Sequence, residues 1–183
     1  SAVALGAPAG ATLDKGPGYP EGHEQPIVFY GTSITHGASA SRPGMVHTAI
    51  LGRRLDRPVV NLGFSGNGKM ELNVAQYLAE IDAAVYVIDC LPNMSAAEVT
   101  SNTEPLVKFL REQHPETPIL LVEDRSYSDG FLITSKRDRN VTSRQAFREA
   151  YQRLQSAGVT GLGYLEGEQL LGDDNEGTVD TSH

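Results

Sequence analysis

The chain has 183 residues, enough for one domain with a real core. Hydrophobic content of 39% and charged content of 21% are ordinary globular values. The net charge of −8 repels polyphosphate backbones and weighs against nucleic-acid binding, and no apolar run is long enough to span a bilayer.

Residues 1–26 are rich in Ala, Gly and Pro and show no sustained period. They read as an arm, a linker or the remnant of an upstream module. The first stretch, SAVALGAPAGA, lacks a basic leader and is not read as a signal peptide. Both ends of the chain look like cuts.

From residue 27 the pattern is regular. IVFY (27–30) reads as a strand and GMVHTAILGRRL (44–55) as a helix. PVVNL (58–62) is a second strand and MELNVAQYLAEI (70–81) a second helix. AVYVID (84–89) is a third strand. The third helix, 95–113, opens on Ser95 and Glu98, an S-x-x-E capping box, and Pro105 inside it predicts a kink or break. PILLVE (118–123) is a fourth strand, 143–157 a fourth helix and GLGYLE (161–166) a fifth strand. Strands alternating with helices imply crossover connections and a parallel sheet, and continuous apolar strands imply that both its faces are covered. The expected fold is a three-layer α/β/α sandwich with a flavodoxin-like, five-stranded parallel sheet. Ligands of such sheets bind beyond the carboxyl ends of the strands.

One segment at those ends, GFSGNGKM (63–70), contains G-x-x-x-x-G-K, a phosphate-loop pattern. Met70 stands where a hydroxyl should reach Mg²⁺, and the loop follows the second strand rather than the first. A glycine-rich turn without a ligand is the plainer reading. YGTSITHG (30–37) presents Ser33 just past the first strand, although a helix N-cap serine has the same appearance. DCLPN (89–93) follows the third strand, and DTSH (180–183) places a carboxylate and an imidazole on one turn.

Together, GTSI, NLGFSGNG, LPN and DTSH resemble the four blocks of the SGNH hydrolase superfamily, or GDSL esterases, in order and in loop placement. The resemblance covers residues 27–183. It is nearest to the bacterial branch with Y-G-T-S-I-T-H-G, whose members often carry an upstream β-rich domain. It implies that Ser33 is the nucleophile, His183 the general base and acid, and Asp180 the group that orients and stabilises the imidazole. It also implies an oxyanion hole made of the Ser33 N–H, the Gly66 N–H and the Asn93 side-chain amide, with Gly66 a glycine so that the backbone can approach the carbonyl. Thr32 stands where the family usually has aspartate, and its hydroxyl can still make a local bond. Relatives continue past the histidine with a helix that packs on the sheet. The chain is therefore expected to be a fragment lacking its last helix, less active than an extended version, with its terminal imidazole poorly held by a frayed residue.

Other residues read more plainly. His36 is expected to be a packed or hydrogen-bonded residue of the first helix. His23, His47 and His114 show no partner pattern. Cys90, the one cysteine, excludes an intrachain disulfide and suits a reducing compartment, so a soluble cytoplasmic protein is favoured without excluding secretion. KRDRN (136–140) reads as a solvated helix face, and Asp89 either supports the site or ends its strand. Neither a metal nor a cofactor is expected.

The family likeness makes a serine esterase acting through an acyl-enzyme the leading expectation. Its substrates are short acyl esters, including acetyl groups on sugars. Asn67, Arg125, Tyr127 and Phe131 are the expected substrate contacts, in the glycine loop and in a long loop over 125–136. The alternatives are a lysophospholipase or thioesterase of the same family, a nucleotide-binding protein using residues 63–69, and a non-catalytic carbohydrate-binding relative.

Overall fold

Five parallel strands lie in the order β2-β1-β3-β4-β5, the flavodoxin-like arrangement. In the computed structural model, which describes Ala4 and residues 6–183, they are β1 (Ile27–Gly31), β2 (Val59–Gly63), β3 (Val85–Asp89), β4 (Ile119–Val122) and β5 (Leu162–Leu165). Residues 1–3 and 5 of the expected arm lie outside the described residues. From residue 6 to 26 no helix or strand forms, and the segment is largely exposed.

The helices are α1 (Ser33–His36), α2 (His47–Leu55), α3 (Leu72–Leu78), α4 (Ala96–Gln113) and α5 (Thr134–Ser156). Strand side chains alternate between the two faces of the sheet. Val28, Tyr30, Tyr86, Ile88, Ile119 and Leu121 point to one face, into a core completed by Leu78 of α3, Leu106 and Leu110 of α4, and Phe147 and Leu154 of α5. Full burial of each such side chain contributes about 1.5–3 kcal/mol. Ile27, Phe29, Val87 and Val122 form a smaller cluster on the opposite face. There a groove of about 620 Å³ runs between the strands, Leu51 and Leu55 of α2, and Leu170 and Leu171.

The expected elements are present, with two differences in the helices. Ser95 and Glu98 form the reciprocal capping box, but α4 continues through Pro105 unbroken. The second difference is larger. α5 begins at Thr134, nine residues before the expected start at Ser143. Its first turns bury polar groups, Asn140, Ser143 and Arg144, so apolar periodicity gives no sign of helix there. The element order sets β1 between β2 and β3. The segments that follow these three strands therefore gather at one sheet edge.

Candidate active site

β1 ends at Gly31 and the chain turns directly into α1. Thr32 is the N-cap: its backbone is extended, and its hydroxyl accepts a hydrogen bond from the N–H of Ile34 at 3.3 Å. The threonine thus supplies the local bond expected of it. The capping role falls to Thr32, which leaves Ser33 at the first helical position with an N–H that has no intrahelical acceptor. One turn on, buried Thr35 donates to Asp89 Oδ2 at 2.8 Å. This bond ties the short helix to the end of β3. Burial and the nearby Asp124 push the Asp89 carboxyl up to about 7, against the opposing pull of the Thr35 bond and of Arg125.

Ser33 Oγ lies 2.8 Å from His183 Nε2. On the other side of the ring, Nδ1 lies 2.8 Å from Asp180 Oδ2. With Nδ1 protonated toward the carboxylate, Nε2 is left to accept from the hydroxyl. Asp180 Oδ1 also accepts from the N–H groups of Ser182 (3.0 Å) and His183 (2.5 Å). These bonds, from His183 above all, hold the Asp180 carboxyl down at about 2. Fraying was expected at His183, but its carbonyl accepts from Val179 N at 2.7 Å and from the Thr178 hydroxyl at 2.8 Å. Between Asp180 and His183, Thr181 sits at φ 73°, a left-handed conformation that is unusual for a β-branched residue.

The glycine loop lies against the end of β1. Phe64 N donates to Gly31 O at 2.9 Å. A Cβ on Gly68 would stand 2.1 Å from that same carbonyl oxygen, at φ 70°, so Gly68 is where backbone approaches backbone. At Gly66 a Cβ would meet nothing, so close packing within the protein does not require glycine at this position. Its φ of 72° does favour glycine. The Gly66 N–H finds no acceptor among the described residues. Asn93 lies in a 3-10 turn, Leu91–Asn93, directly after β3. Its side-chain Nδ2 donates to Asn67 O at 2.6 Å, which fixes the amide beside the glycine loop and leaves a second N–H for another acceptor.

The two residues that would complete a phosphate loop are engaged within the protein. Lys69 Nζ pairs with Glu98 Oε1 at 3.0 Å, and Met70 is buried in the core. Among the described residues, no three His, Cys, Asp or Glu side chains group as a metal site.

The four expected substrate contacts occupy different environments. The Asn67 side chain is exposed beside Asn93. Phe131 is exposed on the loop before α5. Tyr127 is half-buried, with the Arg125 guanidinium 4.0 Å above its ring. Arg125 itself is buried and turned inward, pairing with Asp124 and donating through Nε to Ser182 O at 3.2 Å. His36 is exposed and makes no side-chain hydrogen bond among the described residues, where packing or bonding was expected. Cys90 is buried, and burial pushes its thiol up, which leaves it unreactive.

The KRDRN segment is not a uniformly solvated face. Arg137 and Asp138 are exposed, but Lys136 donates to Thr181 Oγ1 at 3.0 Å, and Arg139 and Asn140 both reach Asp124. Sequence reading missed these supporting residues. Apolar periodicity carries no signal for them: only the early start of α5 seen in the structure places 136, 139, 140 and 143 on one helical face.

The chain matches the GDSL-like Lipase/Acylhydrolase family over residues 24–183. Among solved structures it is similar to a protein labelled a GDSL-like lipase from Bacteroides ovatus, with 42% identity and a TM-score of 0.84 over 87% of this chain and 48% of that one. It is similar to a salicylyl-acyltransferase from a tetracycline biosynthetic pathway, with 23% identity and a TM-score of 0.70 over 91% and 48% of the two chains. It is also similar to a family two carbohydrate esterase from Clostridium thermocellum, solved with cellohexaose, with 16% identity and a TM-score of 0.63 over 86% and 57%. The last two show the fold alone. The chain spans about half the length of the first solved relatives it matches. No curated protein matches the sequence.

Proposed function

This chain belongs to the GDSL-like lipase/acylhydrolase family, a family of ester hydrolases, and from that premise we propose that it is a serine esterase acting on short acyl esters, with O-acetyl groups on carbohydrates as the first candidate. The observation that carries this reading is the relay Ser33 Oγ–His183 Nε2 at 2.8 Å and His183 Nδ1–Asp180 Oδ2 at 2.8 Å.

The steps follow from these atoms. Ser33 Oγ attacks the ester carbonyl carbon while His183 Nε2 takes its proton. Negative charge moves onto the carbonyl oxygen, which accepts from the N–H groups of Ser33 and Gly66 and from Asn93 Nδ2. The carbon–oxygen bond to the alcohol breaks, and the departing oxygen takes the proton from Nε2. Water then attacks the acyl-serine, giving a proton to His183, and the acid leaves as Ser33 recovers that proton. Asp180, held far into its charged form, stays a carboxylate throughout and stabilises the imidazolium.

The choice of substrate class rests on the family likeness and on one feature of the surface. The surface beside Asn93 is exposed and polar at Ser65 and Asn67, which suits a hydrated alcohol such as a sugar. No helix among the described residues is long and apolar enough to cross a membrane.

A serine-reactive phosphonate and a series of p-nitrophenyl esters test the reading. Labelling is expected at Ser33 and absent in Ser33→Ala, and acetate is expected to turn over faster than octanoate. Tight Mg-ATP binding without labelling would instead favour a nucleotide-binding role.

A further inference from the structure

Neither catalytic loop is held in place by apolar packing alone, and the polar contacts beneath both lead to one carboxylate. Asp124 follows β4 and is fully buried. Its Oδ1 accepts from Arg125 Nη1, and its Oδ2 accepts from Arg139 Nη1 at 3.2 Å and Asn140 Nδ2 at 3.0 Å. Each arginine then extends beyond the carboxylate. Arg125 donates to the carbonyl oxygen of Ser182 at 3.2 Å and to its hydroxyl, one residue from His183. Through Nη2, Arg139 donates to the carbonyls of Leu91 (3.3 Å), Pro92 and Met94 (3.5 Å), which bracket Asn93. Arg139 Nη1 also donates to the Tyr127 hydroxyl at 3.0 Å.

We propose that Asp124 joins the two halves of the site through these arginines: Arg125 positions the loop that carries the base, and Arg139 positions the turn that carries Asn93. The proposal rests on the esterase reading. Neither guanidinium is bonded to Ser33, Asn93 or the imidazole, so both are positioning residues. The chemistry suits arginine. A planar fork can face a carboxylate with one edge and carbonyl oxygens with another, which a lysine ammonium cannot reproduce. The carbonyls of the tight turn after β3 have no sheet partners: Leu91 O also accepts from Met94 N–H and Met94 O from the Ser143 hydroxyl, while Pro92 O is met by Arg139. Burial pushes the Asp124 carboxyl up while Arg125 and Arg139 both pull against that shift, so loss of either arginine leaves a buried acid short of a partner and disturbs the other.

The test is a pair of double-mutant cycles on p-nitrophenyl acetate. Arg139→Met is expected to lower kcat about 10- to 100-fold with little change in KM, as misplacement of a catalytic group does. In an Asn93→Ala background the same change should cost less than about twofold, because its effect passes through Asn93. Arg125→Met should behave likewise against Asp180→Asn. Arg148→Met, which removes pairs with Glu123 and Glu168 in the same polar cluster, should leave kcat nearly unchanged. If a methionine variant does not fold, as judged by circular dichroism, Arg139→Lys and Arg125→Lys keep the charge, lose the fork and run the same cycles. A full loss from the arginine change in the Asn93→Ala or Asp180→Asn background overturns the positioning role while the esterase stands. If the unaltered protein hydrolyses no ester and Ser33 takes no phosphonate, the esterase reading falls, and this proposal falls with it.

Discussion

Ser33 and His183 meet at 2.8 Å, yet they arrive there by different means. Ser33 stands on a strand–helix turn between buried residues: Tyr30 and Thr32 are fully buried before it and Thr35 after it. His183 stands on irregular chain, and what fixes it is a set of hydrogen bonds: it donates to Asp180, accepts from Thr178 and Val179, and is steadied through its neighbours by Arg125 and Lys136. The proposed nucleophile is thus placed by packing and the proposed base by polar contacts. Packing resists salt and pH and yields to steric change. Polar contacts tolerate surface change and yield to loss of a single charge or donor.

The largest expected effect breaks the polar end. Asp180→Asn should lower kcat about 10⁴-fold, by misplacing the imidazole proton. The carboxylate is exposed, so the urea unfolding midpoint should barely move. A large loss of stability would mean that this loop is structural rather than a support for the base. Next, Asn93→Ala should cut kcat by about 10²–10³, the usual result of removing one oxyanion donor, with KM nearly constant. An unchanged rate removes Asn93 from the oxyanion hole.

The packed end should fail differently. Gly68→Ala puts a Cβ 2.1 Å from Gly31 O at a left-handed φ. The conformation alone costs about 1–2 kcal/mol, and the collision adds to it. Gly66→Ala carries the first penalty without the second, so its unfolding midpoint should lie clearly above that of Gly68→Ala. Equal midpoints would show that the glycine loop does not rest on β1.

The smallest effect concerns Asp89, which accepts from Thr35 at the end of β3. Its carboxyl ordinarily titrates near 3.8 and is raised to about 7 in the fold. Between those values the folded protein holds a proton that the unfolded chain has lost. This group therefore lowers stability as pH rises through that window. Asp89→Asn removes the dependence and can still accept from Thr35. Its urea midpoint should gain on that of the unaltered protein as pH rises from the lower value toward the upper. A constant difference across the window would contradict the raised value.

The sheet was legible because its strands are unbroken apolar runs, VYVID and PILLVE among them, which mark burial on both faces. The proposed reacting groups were legible as four short blocks resembling those of the family, although no periodicity dictates that Asp180 and His183 fold back to Ser33. Two kinds of information stayed hidden. The start of α5 was obscured because Asn140, Ser143 and Arg144 bury polar rather than apolar surface. The inward turn of Arg125 and Arg139 was hidden because an arginine in a sequence carries no sign of which carbonyls it will meet. In each case a three-dimensional polar partnership stands where a hydrophobic pattern would have been readable.

Phe131 and Leu132 project into solvent, 78% and 73% exposed, on the stretch just before α5. Their side chains take no part in the bonds that align the reacting atoms. Substitution at either position is therefore expected to leave the proposed relay among Ser33, His183 and Asp180 undisturbed, so these two residues are free to vary while the proposed chemistry is kept.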